Sequence, residues 1–186
     1  EDTGVSIRGT MEYGDIGADL DAADNLYREK QFQSALDHYK AVSASLSQLQ
    51  SRATSELQKH TAWGDAALLK GDVEAALTSF TIAVAIDRDN EDLRHKLGRA
   101  ETLGEVQELV RQGQVFERNG ELNDAKKAFK IASNIDSEWQ PAKKGMSRVQ
   151  GAIQKRNFQI AMSEGFLAIS NNNLSLIHIS EPTRLG

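Results

Sequence analysis

The sequence predicts an all-α fold built from stacked helix–turn–helix units. Small and aromatic residues recur along the chain in a pattern whose equivalent positions lie 49 residues apart. A fixed period in this range is typical of helical solenoids. Composition agrees, because hydrophobic content is 39%, aromatic content is 6% and the 186 residues include only two prolines. Such values favour helices that pack through small residues.

The repeated positions define one helical hairpin per unit. They are the pairs Gly64 and Gly113, Gly71 and Gly120, Ala76 and Ala125, Phe80 and Phe129, Ile82 and Ile131, Ala83 and Ala132, Ile86 and Ile135, and Asp87 and Asp136. Ala76, Phe80 and Ala83 are spaced by four and three residues, which predicts one helical face. Because a single hairpin cannot bury this face alone, we expect each hairpin to stack on another.

Local signals predict where the helices begin and end. Gly71 is expected to take a left-handed conformation at the end of one helix, and Asp72 to cap the next. Asn90 and Ser137 are expected to cap the two following helices. Pro141 lies close enough to a helix start to be tolerated there.

The elements follow in order along the chain. Residues 1–15 hold three glycines and no sustained period, so they predict a linker or truncated upstream segment. A turn is expected at 51–55. The predicted helices cover 16–29, 31–50, 57–70, 73–86, 90–119, 122–135 and 142–170. Together they form units of about 16–50, 55–88, 91–137 and an incomplete 138–173.

This pattern resembles the tetratricopeptide repeat (TPR) family. The small residue of the first helix, the turn glycine and the Ala–aromatic–Ala stripe of the second match Gly64, Gly71, Ala76, Phe80 and Ala83. An earlier copy has Lys30 in place of the turn glycine. The resemblance implies a right-handed α-solenoid over residues 16–173. It also implies a protein-binding scaffold and no catalysis.

The period exceeds the family's usual 34 residues by about 15. The excess predicts either a lengthened first helix or a separate helix before it, with Gly104 and Gly151 as possible breaks. Lengthened units are similar to those of bacterial envelope-associated repeat proteins with an upstream membrane anchor. That likeness favours the periplasm or an anchored envelope face over the cytoplasm.

Composition and the two chain ends further limit which kinds of site and protein are expected. Absence of cysteine excludes disulfides and thiolate metal sites, and a net charge of −5 argues against nucleic-acid binding. No apolar run is long enough for a membrane span. The chain begins at Glu1, so we expect a piece of a longer protein. Residues 174–186 are taken as an artefactual tail, because Leu174–Arg184 resembles a translated sequencing-library adapter.

Motifs for chemistry are missing from the sequence. The four histidines are scattered, and neither a phosphate-binding glycine loop nor a nucleophile elbow occurs. We therefore expect no enzyme activity, no metal and no cofactor. The two tryptophans, Trp63 and Trp139, are interpreted as packing between repeats rather than as ligand cages.

The resemblance places partner binding on the concave face formed by the first helix of each unit. Carried over residue by residue, the candidate groove consists of Asp24, Tyr27, Arg28, Gln58, Thr61, Asp65, Leu68, Gln107, Val110, Gln114, Glu117 and Arg118. These residues mix polar, charged and apolar groups, as a protein or peptide partner requires. The alternative is a structural spacer, or the regulatory arm of a larger envelope-associated or enzyme-bearing protein.

Overall fold

The computed structural model describes the backbone of residues 3–170 and the side chains of residues 13–170. Within that range the chain forms six α-helices and no strand, which confirms the all-α fold class. The helices are α1 (Thr3–Arg28), α2 (Phe32–Lys70), α3 (Val73–Ile86), α4 (Glu91–Arg118), α5 (Leu122–Ile135) and α6 (Gln140–Ser170). Residues 171–186, which include the predicted tail and the end of the predicted fourth unit, lie outside the described residues.

The described chain divides into two compact units. The first unit runs to Asp65 and also includes Thr78–Arg94. The second unit comprises Ala66–Leu77 and the described residues from His95 onward.

Three helix ends share one turn geometry. Gly71 and Gly120 have φ values of 76° and 79°, and Lys30 has 64°. In each turn the left-handed residue donates to the carbonyl three residues back, and the next residue donates to the carbonyl five residues back. This is the Schellman arrangement, which favours glycine at the left-handed position. Lys30 therefore adopts a conformation that costs a non-glycine residue about 1 kcal/mol.

Two predicted caps are confirmed and one is wrong. The Asp72 carboxylate accepts from the Ala75 amide at 3.1 Å, and the Asn90 side chain accepts from the Leu93 amide at 3.2 Å. Ser137 lies instead in a turn, since α6 begins at Gln140.

The predicted turn at 51–55 is also wrong, and the segment predicted as a linker or truncated upstream segment is helical from residue 3 onward. Residues 3–15 belong to α1, because single glycines weaken a helix by only about 1 kcal/mol each. The expected turn at 51–55 falls inside the continuous helix α2, which has no proline. The Thr54 hydroxyl donates to the Gln50 carbonyl of the same helix at 2.9 Å, so it is satisfied within the helix.

The lengthened repeat is explained by longer helices rather than by extra ones. Helix α4 includes Gly104 without a break, and α6 includes Gly151 without a break. No atom of the described residues lies within 4 Å of the position that a Cβ would occupy on either glycine.

Aromatic rings packed on glycines occupy both cores. In the first unit Phe80 is fully buried, and a Cβ on Gly64 would lie 2.6 Å from its Cζ. In the second unit Phe129 is fully buried between Gly113 of α4 and Gly145 of α6. The small residues at these positions thus let the helix backbones approach the rings closely.

A buried ion pair ties α4 to the segment after α5. The Arg99 guanidinium donates to both oxygens of Asp136 at 3.1 to 3.2 Å, and it also pairs with Glu138 at 2.6 Å. The Asp136 side chain is only 2% exposed. Its remaining capacity is used by the Glu138 amide, which donates to Oδ1 at 2.8 Å.

Candidate functional site

The first unit contains half of the predicted groove residues. They are Asp24, Tyr27, Arg28, Gln58, Thr61 and Asp65. Tyr27, Arg28 and Gln58 are exposed, whereas the other three are half-buried. The exposed members therefore have surface available to a partner.

Asp24 holds a hydrogen bond between two helices. The Tyr39 hydroxyl of α2 donates to its carboxylate at 2.5 Å. That hydrogen bond, more than burial or the carboxylate charge, raises the pKa of Tyr39 above its ordinary value. The bond fixes α1 against α2 beside the turn at Lys30.

An exposed aromatic pair spans the same turn. Tyr27 lies in the last turn of α1 and Phe32 is the first residue of α2, and their ring centroids are 5.4 Å apart in an edge-to-face arrangement. Their exposed fractions are 58% and 57%. The left-handed turn at Lys30 brings the two rings together, with Arg28 exposed next to Tyr27. Sequence reasoning included Tyr27 and Arg28 in the candidate groove but did not include Phe32.

Farther along α2, polar and aromatic groups cluster around Trp63. The Trp63 ring is exposed, with the Lys59 ammonium 4.7 Å from its centroid and the His60 ring edge-on at 5.3 Å. The interpretation of Trp63 as repeat packing is therefore wrong. Thr61, a predicted groove residue, donates its hydroxyl to the Leu57 carbonyl at 2.8 Å within α2.

The second unit contains the other six predicted groove residues, and several have structural roles. Leu68 and Val110 are buried, so they present little surface to a partner. The Gln107 amide donates to the Gly71 carbonyl at 2.6 Å and thereby holds the turn between α2 and α3. Gln114 and Arg118 are exposed on α4, where the Arg118 Nε donates to the Gln114 carbonyl at 3.3 Å.

Glu117 forms a bidentate ion pair with a residue that the predicted groove did not include. The Arg148 guanidinium of α6 donates to both carboxylate oxygens at 2.6 Å. These hydrogen bonds lower the pKa of Glu117 and raise that of Arg148. The geometry matches the planar fork of arginine to a carboxylate. Glu117 is consequently engaged with its own chain.

An open cavity of about 600 Å³ lies between α5 and α6 in the second unit. It is lined by Lys130, Ser133, Asn134, Lys143, Met146, Ser147, Gln150, Gly151 and Gln154. The lysines are the only charged residues in this lining, and the Ser133 hydroxyl is buried without a hydrogen-bond partner. Sequence reasoning missed the cavity because its residues come from two helices and match no motif.

Trp139 packs against the second core, as interpreted from the sequence. It contacts the cluster around Phe129, and its Cη2 would lie 3.1 Å from a Cβ on Gly71. In the repeat pattern, Trp139 occupies the position that corresponds to Asn90, which caps the helix that follows it. At Trp139 the side chain packs against the core instead.

Two classes of site are missing from the described residues. Among them no group of three or more histidine, cysteine or acidic side chains is arranged to hold a metal ion. None of the described helices combines the length and apolarity that crossing a bilayer requires. Comparison of the chain with protein-family models, with curated proteins and with solved structures found no match.

Proposed function

We propose that this chain is a non-catalytic scaffold of the TPR type, a right-handed solenoid that binds a protein or peptide through the exposed face of its first-helix residues. The observation that carries the proposal is the exposed aromatic pair Tyr27–Phe32, together with the neighbouring Arg28. Tyrosine and arginine are enriched among residues that dominate binding energy at protein interfaces. Exposed aromatic rings held by a fixed turn offer contact area without a large ordering cost.

The local polar groups suit an extended peptide. Arg28 supplies a cation beside the rings, and the Asp24 carboxylate lies one turn before it on α1. Because Tyr39 already donates to Asp24, that carboxylate is held in place before a ligand arrives. Apolar contact with the rings then provides affinity, and the two charges provide selectivity.

The test selects peptides from a random phage library on the immobilised full chain and measures their affinity by fluorescence anisotropy. Replacing the pair in a Tyr27→Ala, Phe32→Ala variant is expected to weaken binding by at least about tenfold. Tyr13→Ala is the matched control, because Tyr13 is an exposed tyrosine on the same helix about 21 Å away. Failure to enrich any peptide, or equal losses in both variants, would overturn the proposal.

A further inference from the structure

The open cavity between α5 and α6 carries positive charge and no negative charge. Among the described residues that line it, only Lys130 of α5 and Lys143 of α6 are charged. Both side chains are exposed, and neither ammonium group forms an ion pair or a hydrogen bond with another described residue. In a chain whose net charge is −5, a cavity that presents only cations indicates an anionic ligand.

The acidic residues nearest to the cavity in sequence are directed elsewhere. Asp136 and Glu138 lie between the α5 and α6 segments that line the cavity, and both pair with Arg99 of α4. No carboxylate of the described residues lies in the lining. A ligand therefore meets no acidic side chain that competes for the two lysines.

Neutral polar groups complete most of the lining. Asn134, Ser147, Gln150 and Gln154 offer amides and hydroxyls that both donate and accept hydrogen bonds. The Ser133 hydroxyl is buried and has no hydrogen-bond partner among the described residues. A buried polar group is normally satisfied by protein, water or a ligand, and leaving it unpaired is costly. The cavity thus lacks a partner that a polar occupant can supply.

The residue types in the lining narrow the class of ligand. Lysine binds phosphate as a point charge, whereas bidentate recognition of carboxylates uses arginine, which is missing from the described lining. None of the described lining residues is aromatic, so a nucleobase finds no ring to stack on. Amides and hydroxyls suit the hydroxyls of a sugar. The volume of about 600 Å³ fits a small molecule.

We propose that this cavity binds a small phosphorylated sugar. Lys130 and Lys143 hold the phosphate oxygens, and the amides and hydroxyls of the lining bond to the sugar hydroxyls. Gly151 leaves room for the ligand, since no atom of the described residues lies within 4 Å of the position that its Cβ would occupy. The cavity belongs to the second unit and the aromatic pair Tyr27–Phe32 to the first, so this proposal and the proposal of peptide binding fail independently.

The probe is fructose bisphosphate, titrated into the isotopically labelled full chain and followed by amide chemical shifts in nuclear magnetic resonance. We expect saturable shifts that are largest for the lining residues, with a dissociation constant of about 1 mM or lower. Fructose has the hydroxyls without the charge, and citrate has carboxylates instead of phosphates. Each should bind at least about tenfold more weakly than fructose bisphosphate.

Two pairs of lysine substitutions test the charge. Lys130→Gln combined with Lys143→Gln removes both cavity charges and should weaken binding at least about tenfold. Lys126→Gln combined with Lys144→Gln is the matched control, because it removes the same charge from the same two helices and neither residue lines the cavity. Exposed charges outside the site are screened by salt, so the control should change the affinity less than about twofold.

A glycine substitution tests the cavity without changing its charge. Gly151→Leu fills space beside the ligand and should weaken binding at least about tenfold, while leucine is favoured over glycine inside a helix. Gly104→Leu is the matched control, because Gly104 also lies inside a helix, has no described atom within 4 Å of its added Cβ, and does not line the cavity. Its affinity should equal that of the parent chain. Circular dichroism checks that both variants remain helical.

Three results would overturn the proposal. The first is the absence of saturable shifts with fructose bisphosphate at concentrations up to about 10 mM. The second is an equal loss of affinity in the two lysine pairs, because the attraction would then come from general charge rather than from the cavity. The third is binding of citrate or fructose as tight as that of fructose bisphosphate, because the lining would then not recognise a phosphorylated sugar.

Discussion

Substitution of Gly145 by alanine tests whether glycine is required where α6 meets the Phe129 ring. A Cβ on Gly145 would lie 2.5 Å from Cδ1 and 2.6 Å from Cζ of Phe129, and nearer still to Cε1. The ring cannot retreat, because Gly113 lies against it as well, with a would-be Cβ at 2.9 Å. The added methyl group must therefore displace a helix or force the ring from its rotamer.

Two opposing effects determine the expected change in the free energy of unfolding for Gly145→Ala. Alanine is favoured over glycine inside a helix by about 1 kcal/mol. Overpacking of a well-filled core costs about 1 to 3 kcal/mol, and contact with three ring atoms of an enclosed side chain places this site near the upper value. We therefore expect Gly145→Ala to lower the free energy of unfolding by about 2 kcal/mol.

The assay is guanidinium unfolding monitored by tryptophan fluorescence in a Trp63→Phe background. Trp63 is exposed in the first unit, so its removal is mild and leaves Trp139 as the reporter of the second unit. Gly104→Ala is the control, because no atom lies within 4 Å of its added Cβ, and it should raise the free energy of unfolding by about 1 kcal/mol.

The two alanine variants should thus shift stability in opposite directions. Phe129→Leu should cost about 1 kcal/mol less in the Gly145→Ala background than in the parent chain, because the smaller side chain relieves the contact. If Gly145→Ala were as stable as Gly104→Ala, the Phe129 ring would not be confined between Gly113 and Gly145. The packing of Phe129 against Gly113 and Gly145 would then not be what holds α4, α5 and α6 together in the second core.

Two further predictions concern polar contacts. Arg99→Ala should lower the free energy of unfolding in the same fluorescence assay by about 3 kcal/mol, because it leaves the buried Asp136 carboxylate without its guanidinium. Loss of the exposed Arg111, whose ion pair lies within one helix, should leave the free energy of unfolding nearly unchanged, because surface ion pairs contribute little. Tyr39 should ionise above its ordinary pKa in an ultraviolet absorbance titration, and Asp24→Asn should lower that pKa. Since the folded-state pKa is raised, this hydrogen bond stabilises the fold fully below about pH 10, and the contribution is lost as the pH rises further.

Much of the local structure could be predicted because it depends on residues close in sequence. Glycine at φ near 80°, with Asp72 capping the next helix, follows from turn chemistry within a few residues. The burial of Phe80 and Phe129 follows from a period that placed small residues beside them. Both predictions depend on short spacings, which sequence reports directly.

The missed features depend on context. A turn was predicted at 51–55, yet no glycine or proline lies there, the helix continues, and the Thr54 hydroxyl bonds to its own helix backbone. The prediction of the candidate groove also missed contacts with other parts of the chain. Gln107 and Glu117 were chosen for their register on the first helices, but each is held by a residue from another part of the second unit, Gly71 or Arg148.

The glycines show why register on one helix does not reveal what a position binds. Gly113 and Gly145 receive a ring, Gly104 and Gly151 face open space, and all four lie inside unbroken helices. All four glycines have the same helical backbone. Their surroundings differ because only some of them face a neighbouring helix that places an aromatic side chain against them. Gly165 likewise has no atom of the described residues within 4 Å of the position that a Cβ would occupy, so lying inside a helix does not by itself tell whether a ring packs against a glycine.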